Sequence, residues 1–305
     1  MATITSAGTG NSNATATWVG GVVPDADDDV VIDSGHTVTQ NANATFNSLA
    51  VNGTFVASSS YSLTIDGERS NGRALDIVGT FTHGNGTITI TTAADTDLRW
   101  PSSSEAYNIT INHASCVARP TGDKPVIAND LTITAGEYNT LDSGGSTNHA
   151  LTVEGKTLID GGTLTCNAST ISLKSGVNSN IFGLQVASGT FNGGTGTHTI
   201  GGIRVSGGTL TFTSGNTTIN AGETSSSAGA IYISGSPTVN TSNGTVIIDL
   251  ITPTLQFLLY NSNLTLYNLT INSGSTINLW QPTSDGSGTE LLTVANDLTI
   301  NGTLN

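Results

Sequence analysis

The chain has 305 residues, 37 of them glycine, and only 10 % are charged, against ~25 % in ordinary globular domains. Eight Lys plus Arg against 22 Asp plus Glu give a net charge of −14, which repels a phosphate backbone and excludes nucleic acid as the expected partner. Leu, Ile, Val and Phe recur too often for a disordered chain, and no long window carries a 3.6-residue apolar period, so a folded, all-β protein with almost no helix is expected.

Residues 1–40 are expected to form a first coil or cap. The opening MATITSAGTGNSNATATW lacks the basic and apolar regions of an export signal, and no run is long enough to span a membrane. Folding in the cytoplasm is therefore expected, with Cys116 and Cys166 as buried thiols rather than a disulfide. The cluster Asp25, Asp27, Asp28, Asp29 and Asp33 supplies hard oxygen ligands at close spacing, which makes Asp25, Asp27 and Asp29 calcium candidates. It lacks the regular loop with a distal Glu and reads more simply as a solvated turn before the strand VVI, so neither metal nor cofactor is expected.

A refrain begins at Leu49. LAVNGTF, LDIVGTF from Leu75 and LTINGTL from Leu298 place apolar residues at the first, third and seventh positions, while LTITAGEY from Leu131, LTVEGKTL from Leu151 and IRVSGGTL from Ile203 delay the last by one. Asn-Gly between apolar residues is ordinarily a hairpin signal. A two-residue hairpin at Asn52-Gly53 would, however, put Phe55 on the face opposite Leu49 and Val51. A strand that bends at the Gly keeps Leu49, Val51 and Phe55 on one side, with the Gly in a corner too tight for a side chain. The delayed spelling adds one residue at that corner, as a bulge does.

Residues 95–125 are less regular and are expected to leave the coil as a loop excursion. They contain the best catalytic candidates, Asp95, Asp97 and Glu105, because paired carboxylates serve as acid and base in polysaccharide cleavage. Arg99 and Trp100 are the candidate carbohydrate contacts, the indole offering a stacking face. No spacing in the sequence sets two of these carboxylates at a working separation. The histidines at 36, 83, 113, 149 and 198 form no metal-ligand pattern, and no nucleophile elbow is present. Asn-x-Ser/Thr triplets, as at Asn13, Asn108 and Asn268, follow from composition alone.

Longer phrases also return: YNITIN at Tyr107 comes back as YNLTIN at Tyr267, and each is followed by NDLTI, at Asn129 and at Asn296. Such self-similarity marks a repeat architecture. Short strands joined by face-preserving bends predict one continuous, single-stranded, right-handed parallel β-helix over residues 1–305, with coils of ~20–30 residues and ten to fourteen rungs or so. Ile219–Ala230 and Pro282–Glu290 are expected as protruding loops. At the end of the sequence, Leu298, Ile300 and Leu304 share one face and are expected to form an assembly edge covered by a loop, a neighbouring subunit or another protein.

The phrases FNGGTGTHTI, SGGTLTF, YNLTIN and NDLTITAG resemble the β-strand-repeat text of β-helical bacteriophage virion proteins and bacterial surface proteins. TWVGGVVPDADDDVVIDSGHTVT, Thr17 to Thr39, is similar to the first coil of G8-type β-helical domains. The resemblance implies a structural virion protein, displayed on the particle surface as a capsid-decorating protein or a tail fibre or spike component. It implies the chain itself as partner, in a homotrimer, together with major capsid or tail proteins; the lack of a placed carboxylate pair, metal ligands or a nucleophile elbow sets the expectation of no enzymatic activity. Two alternatives stand beside it: a carbohydrate-binding surface adhesin or receptor-binding fibre, and a polysaccharide-degrading tailspike.

Overall fold

The computed structural model describes residues 1–122, 126–174, 182–221, 229–250, 254–260, 262–280 and 290–305. The expected loops at Ile219–Ala230 and Pro282–Glu290 fall largely outside them. Parallel strands stack rung upon rung as a β-solenoid of about 11 turns, with essentially no helix. None of the helices among the described residues is long and apolar enough to cross a membrane. The chain divides into two compact units, Met1–Ala150 and Leu151–Asn305.

In the first unit each coil turns past several faces. On one, Thr3–Thr5, Asp29–Ile32, Ser48–Val51, Arg73–Ile77 and Asp95–Trp100 lie in succession, all parallel. Their register stacks Val30 on Leu49, Leu75 and Leu98, an inward column in which each side chain is at most 1 % exposed. A second face stacks Ala44–Phe46, Leu63–Ile65, Thr87–Ile90 and the start of Asn108–Gly122, with Phe46, Ile65, Ile90 and Ile111 inward. A third sheet is shorter: Gly10–Asn11, Thr37–Thr39, Thr54–Val56 and Thr80–Thr82, with Val38, Phe55 and Phe81 inward and the two phenyl rings stacked at 5.8 Å. Period-two alternation explains this: in a strand one side chain in two faces the core, and the other is left for Thr, Ser or Asn.

The bend at Asn-Gly is as expected. Leu49, Val51 and Phe55 are all fully buried. A Cβ on Gly53 would collide with the carbonyl oxygens of Asp33 and His36, so the corner admits glycine because the preceding coil passes directly beneath it. The delayed spelling holds at Leu131, Ile133 and Tyr138 and at Ile203, Val205 and Leu210, all buried. At LTVEGKTL it fails: Thr157 and Ile159 are buried while Leu158 is half-exposed, because the strand Thr157–Thr165 restarts its alternation after the turn at Glu154–Lys156.

Most of residues 95–125 does not leave the coil as a loop excursion; among the described residues only 101–107 lie outside the named strands. Asp95–Trp100 and Asn108–Gly122 are strands in the coil, paired residue for residue from Asp95 with Val117 to Trp100 with Gly122. The charged residues Asp95, Asp97, Arg99 and Arg119 take outward positions of these strands, while Trp100 and Pro120 face inward. The first coil is closed by two single 3₁₀ turns, Thr15–Thr17 and Val19–Gly21, around buried Trp18, whose indole N–H donates to the Ser12 carbonyl (2.8 Å).

The second unit stacks Leu151–Val153, Ile171–Leu173, His198–Ile200, Asn216–Ile219, Thr245–Ile248, Asn268–Ile271 and Leu298–Ile300 on one face. Its inward column runs Leu151, Ile171, His198, Thr217, Val246, Leu269 and Leu298. A second face carries Thr157–Thr165, Leu184–Asn192, Ile203–Val205 with Thr209–Thr211, and Ile231–Ser234 with Thr238–Asn240. Its outer side sets Thr163, Thr190, Thr209 and Thr238 in one ladder.

Candidate functional site

The strand Asp95–Trp100 alternates Asp95, Asp97 and Arg99 outward with Thr96, Leu98 and Trp100 inward. Parallel register then brings charges from three rungs together. Asp97 lies between Arg73 and Arg119, and Arg99 lies beside Asp76. Asp76 is the shared anion: Arg73 Nη1 reaches its Oδ2 at 3.2 Å and Arg99 Nη1 its Oδ1 at 3.3 Å. Arg119 Nε donates to Asp95 Oδ1 at 2.6 Å and its Nη1 to the Leu141 carbonyl at 3.0 Å.

Asp97 is the unusual member. Ser143, on a turn closed by the Leu141–Asn148 bridge, donates its Oγ–H to Asp97 Oδ2 (3.3 Å), while Oδ1 is buried with no hydrogen-bond partner. Burial pushes the carboxyl pKa up, against the Ser143 hydrogen bond and the Arg73 charge, which pull it down. The turn over it is held by Asp142, whose carboxylate accepts the Ser146 and Thr147 backbone N–H groups and is drawn down to about 2.

Of the three catalytic candidates, the structure brings Asp95 and Asp97 onto one strand face and leaves Glu105 elsewhere, opposite His83. Asp95 is committed to Arg119 and Asp97 is covered by the Ser143 turn, an arrangement that neutralises charge between rungs. Of the carbohydrate candidates, Arg99 remains 40 % exposed but is paired to Asp76. Trp100 is a correction: it is 3 % exposed and packs edge-on against Phe81 at 5.5 Å, so its face is not offered to a sugar. Trp100 stands an odd number of positions from outward Asp95, so period-two alternation puts it inside.

The acidic cluster is a turn whose carboxylates hold its own backbone. Asp25 accepts the Asp27 N–H (3.0 Å), Asp28 accepts those of Asp25 (3.2 Å) and Ala2 (3.3 Å), and Asp29 accepts Ser48 Oγ–H (2.6 Å) and Asn47 Nδ2–H (2.8 Å). No group of three or more His, Cys, Asp or Glu among the described residues is arranged to hold a metal ion. On the strand Leu298–Ile300, Leu298 and Ile300 stack on Leu269 and Ile271 and are 49 % and 45 % exposed, with Leu304 half-exposed on the neighbouring strand Thr303–Leu304.

One histidine is part of the core, which no motif in the sequence marks. His198 is fully buried between Ile171 and Thr217 in a mostly apolar column, its ring edge-on to Phe191 at 5.9 Å. Neither ring nitrogen has a hydrogen-bond partner; burial depresses its pKa to about 4, and the Gly193 backbone beside it offsets only part of that. The even spacing of His198 from Ile200 was the available signal.

No known protein family, curated protein or solved structure matches this chain.

Proposed function

We propose that the protein is architectural: a structural component of a bacteriophage particle, displayed on its surface as a capsid-decorating protein or a part of a tail fibre or spike, and assembled there as a homotrimer against capsid or tail proteins. The observation that carries this reading is the treatment of outward polar groups, which are used to tie rung to rung. Thr91 Oγ1–H donates to Asp66 (2.7 Å), Thr134 Oγ1–H to Asn112 (2.8 Å), Asn129 to Asn108 (2.8 Å) and Asn296 to Asn268 (2.8 Å), while Asp76 and Asp95 take arginines from neighbouring rungs. Side chains spent on inter-rung ladders stiffen a coil. Eight Lys plus Arg in 305 residues also leave few sites for trypsin-like proteases, which suits a protein exposed outside the cell.

The test is quantitative mass spectrometry of purified particles from the producing host, with antibody labelling in electron micrographs. High copy number and label over the head support decoration, and low copy number with label at the tail supports a fibre or spike. Absence from particles, with the protein recovered from cell envelopes, overturns the proposal in favour of an adhesin.

A further inference from the structure

The third sheet of the first unit stops at Thr80–Thr82, and the next coil covers its edge with the segment 101–105 instead of a strand: the Phe81 N–H donates to Ser104 Oγ (3.2 Å). That side of the coil resumes as a different sheet at the Ala106–Ile127 bridge. Changing sheets leaves a groove of about 360 Å³, whose lining includes Thr80, Phe81, Thr82, Ser103, Glu105 and Val126, with His83 at its rim. The volume sits at the small end of the ~300–1,000 Å³ typical of small-molecule sites.

The groove has a built polar edge. His83 stacks on Tyr107, ring centroids 5.2 Å apart and planes within 23°. Its Nδ1 accepts the Asn85 backbone N–H (3.0 Å), so in the neutral ring the proton sits on Nε2. Nε2 then faces Glu105 Oε1 at 3.8 Å, beyond hydrogen-bond range, and neither group satisfies the other. A donor held in place by Asn85 and Tyr107, with a half-exposed carboxylate acceptor beside it, over a floor of Phe81 backed by Trp100, matches one chemistry well: adjacent hydroxyls on a saturated ring, one accepting from Nε2–H and the next donating to Oε1. The Glu105 carboxylate and the net charge of −14 select against anionic sugars.

We propose that this groove binds a neutral pyranose through a vicinal diol held between His83 and Glu105. The site is independent of the particle assignment above, and it replaces the carbohydrate contact expected at Arg99 and Trp100. It also gives Glu105 a role as hydrogen-bond acceptor.

The intact chain is titrated with the methyl α-glycosides of glucose, mannose and galactose to about 50 mM, enough to saturate a site of millimolar affinity. His83 and Tyr107 ring resonances are followed by NMR, with cyclohexanol as the ring lacking a diol. The expected result is a saturable shift of both rings with at least one glycoside, none with cyclohexanol, and affinity lower by about 10-fold or more in Glu105→Gln. Because Glu105 is 48 % exposed, that variant keeps the fold, which an unchanged circular dichroism spectrum verifies. No shift with any glycoside, equal response to cyclohexanol, or undiminished affinity in Glu105→Gln each overturns the proposal.

Discussion

Asn129 Nδ2 donates to Asn108 Oδ1 at 2.8 Å, and Asn296 Nδ2 donates to Asn268 Oδ1 at the same distance one unit away. The two corners agree bond for bond. Asn108 Oδ1 and Asn268 Oδ1 each also accept the backbone N–H of the Asp that follows the partner Asn, Asp130 at 3.1 Å and Asp297 at 3.2 Å, and their own amides donate to a Thr hydroxyl on the rung before, Thr87 at 3.2 Å and Thr245 at 3.3 Å. This is the physical content of the repeated words YN(I/L)TIN and NDLTI: a coil carrying the first sets the corner that the second completes. Asn108→Ala removes an acceptor used twice and a donor, so it is expected to cost about 1–3 kcal/mol, and Asn129→Ala about 1 kcal/mol. Urea unfolding of both single variants and the double variant checks this. The double should cost less than the sum, since the pair shares one bond.

His198 makes stability depend on acid. Its folded pKa, about 4, lies below the ordinary ~6.5, so the proton binds more readily to the unfolded chain. The stability is fully present above about pH 6.5 and is lost as pH falls through 4, with a loss of about 2 kcal/mol by pH 5. The difference between wild type and His198→Leu isolates this group from the carboxylates. Leu is expected to narrow or reverse any deficit at pH 7 as pH drops to 5, read as the shift in urea midpoint. A difference that stays flat over that window would show that the ring is solvated in the native state.

The charge ladder is unequal. Asp76 is 12 % exposed and joins two arginines, one of which, Arg73, has a buried Nε without a partner, whereas Asp95 is 52 % exposed and pairs once. Asp76→Asn is expected to cost about 1–3 kcal/mol by taking from Arg73 and Arg99 the carboxylate they share, and Asp95→Asn less than about 1 kcal/mol. Thermal unfolding of both at low and moderate salt checks the ranking, and added salt should shrink the Asp95 effect more.

What could be read from the sequence divides along the same physical line. Period-two alternation is local, so the shared burial of Leu49, Val51 and Phe55 and the bend at Gly53 were legible, and the count failed at Leu158 where a turn reset the phase. The meeting of Asp97 with Arg73 and Arg119 depends on register between coils more than twenty residues apart, and that register itself slips between Asp97 and Leu98. Turn lengths vary from coil to coil, so no spacing encodes such a meeting. The groove beside His83 exists because one sheet ends and another begins, a property of the stack as a whole. Glu105 stands out in the sequence as a carboxylate, yet its neighbour His83 lies twenty-two positions away with no motif linking them.

Gly53 offers the most direct test of the coil geometry. A methyl group there meets two carbonyl oxygens, of Asp33 and His36, that belong to the coil below and already accept hydrogen bonds: Asp33 from the His36 N–H (3.1 Å) and His36 from the Thr54 N–H (2.9 Å). Backbone cannot swing aside as a flexible side chain can, so relief requires the rungs to part and the contact of Phe55 with its stack to loosen. Gly53→Ala is expected to lower stability by about 2 kcal/mol or more, although alanine is ordinarily the better residue in an ordered segment. The measurement pairs it with Gly145→Ala on the exposed turn, where a Cβ meets nothing but the backbone sits at φ +68°, so that only the conformational cost, about 1–2 kcal/mol, is felt. Hydrogen exchange locates the damage: accelerated exchange of the Phe55 and Phe81 amides in Gly53→Ala alone is the signature of coils forced apart, whereas protection unchanged there would mean that the corner relaxes locally.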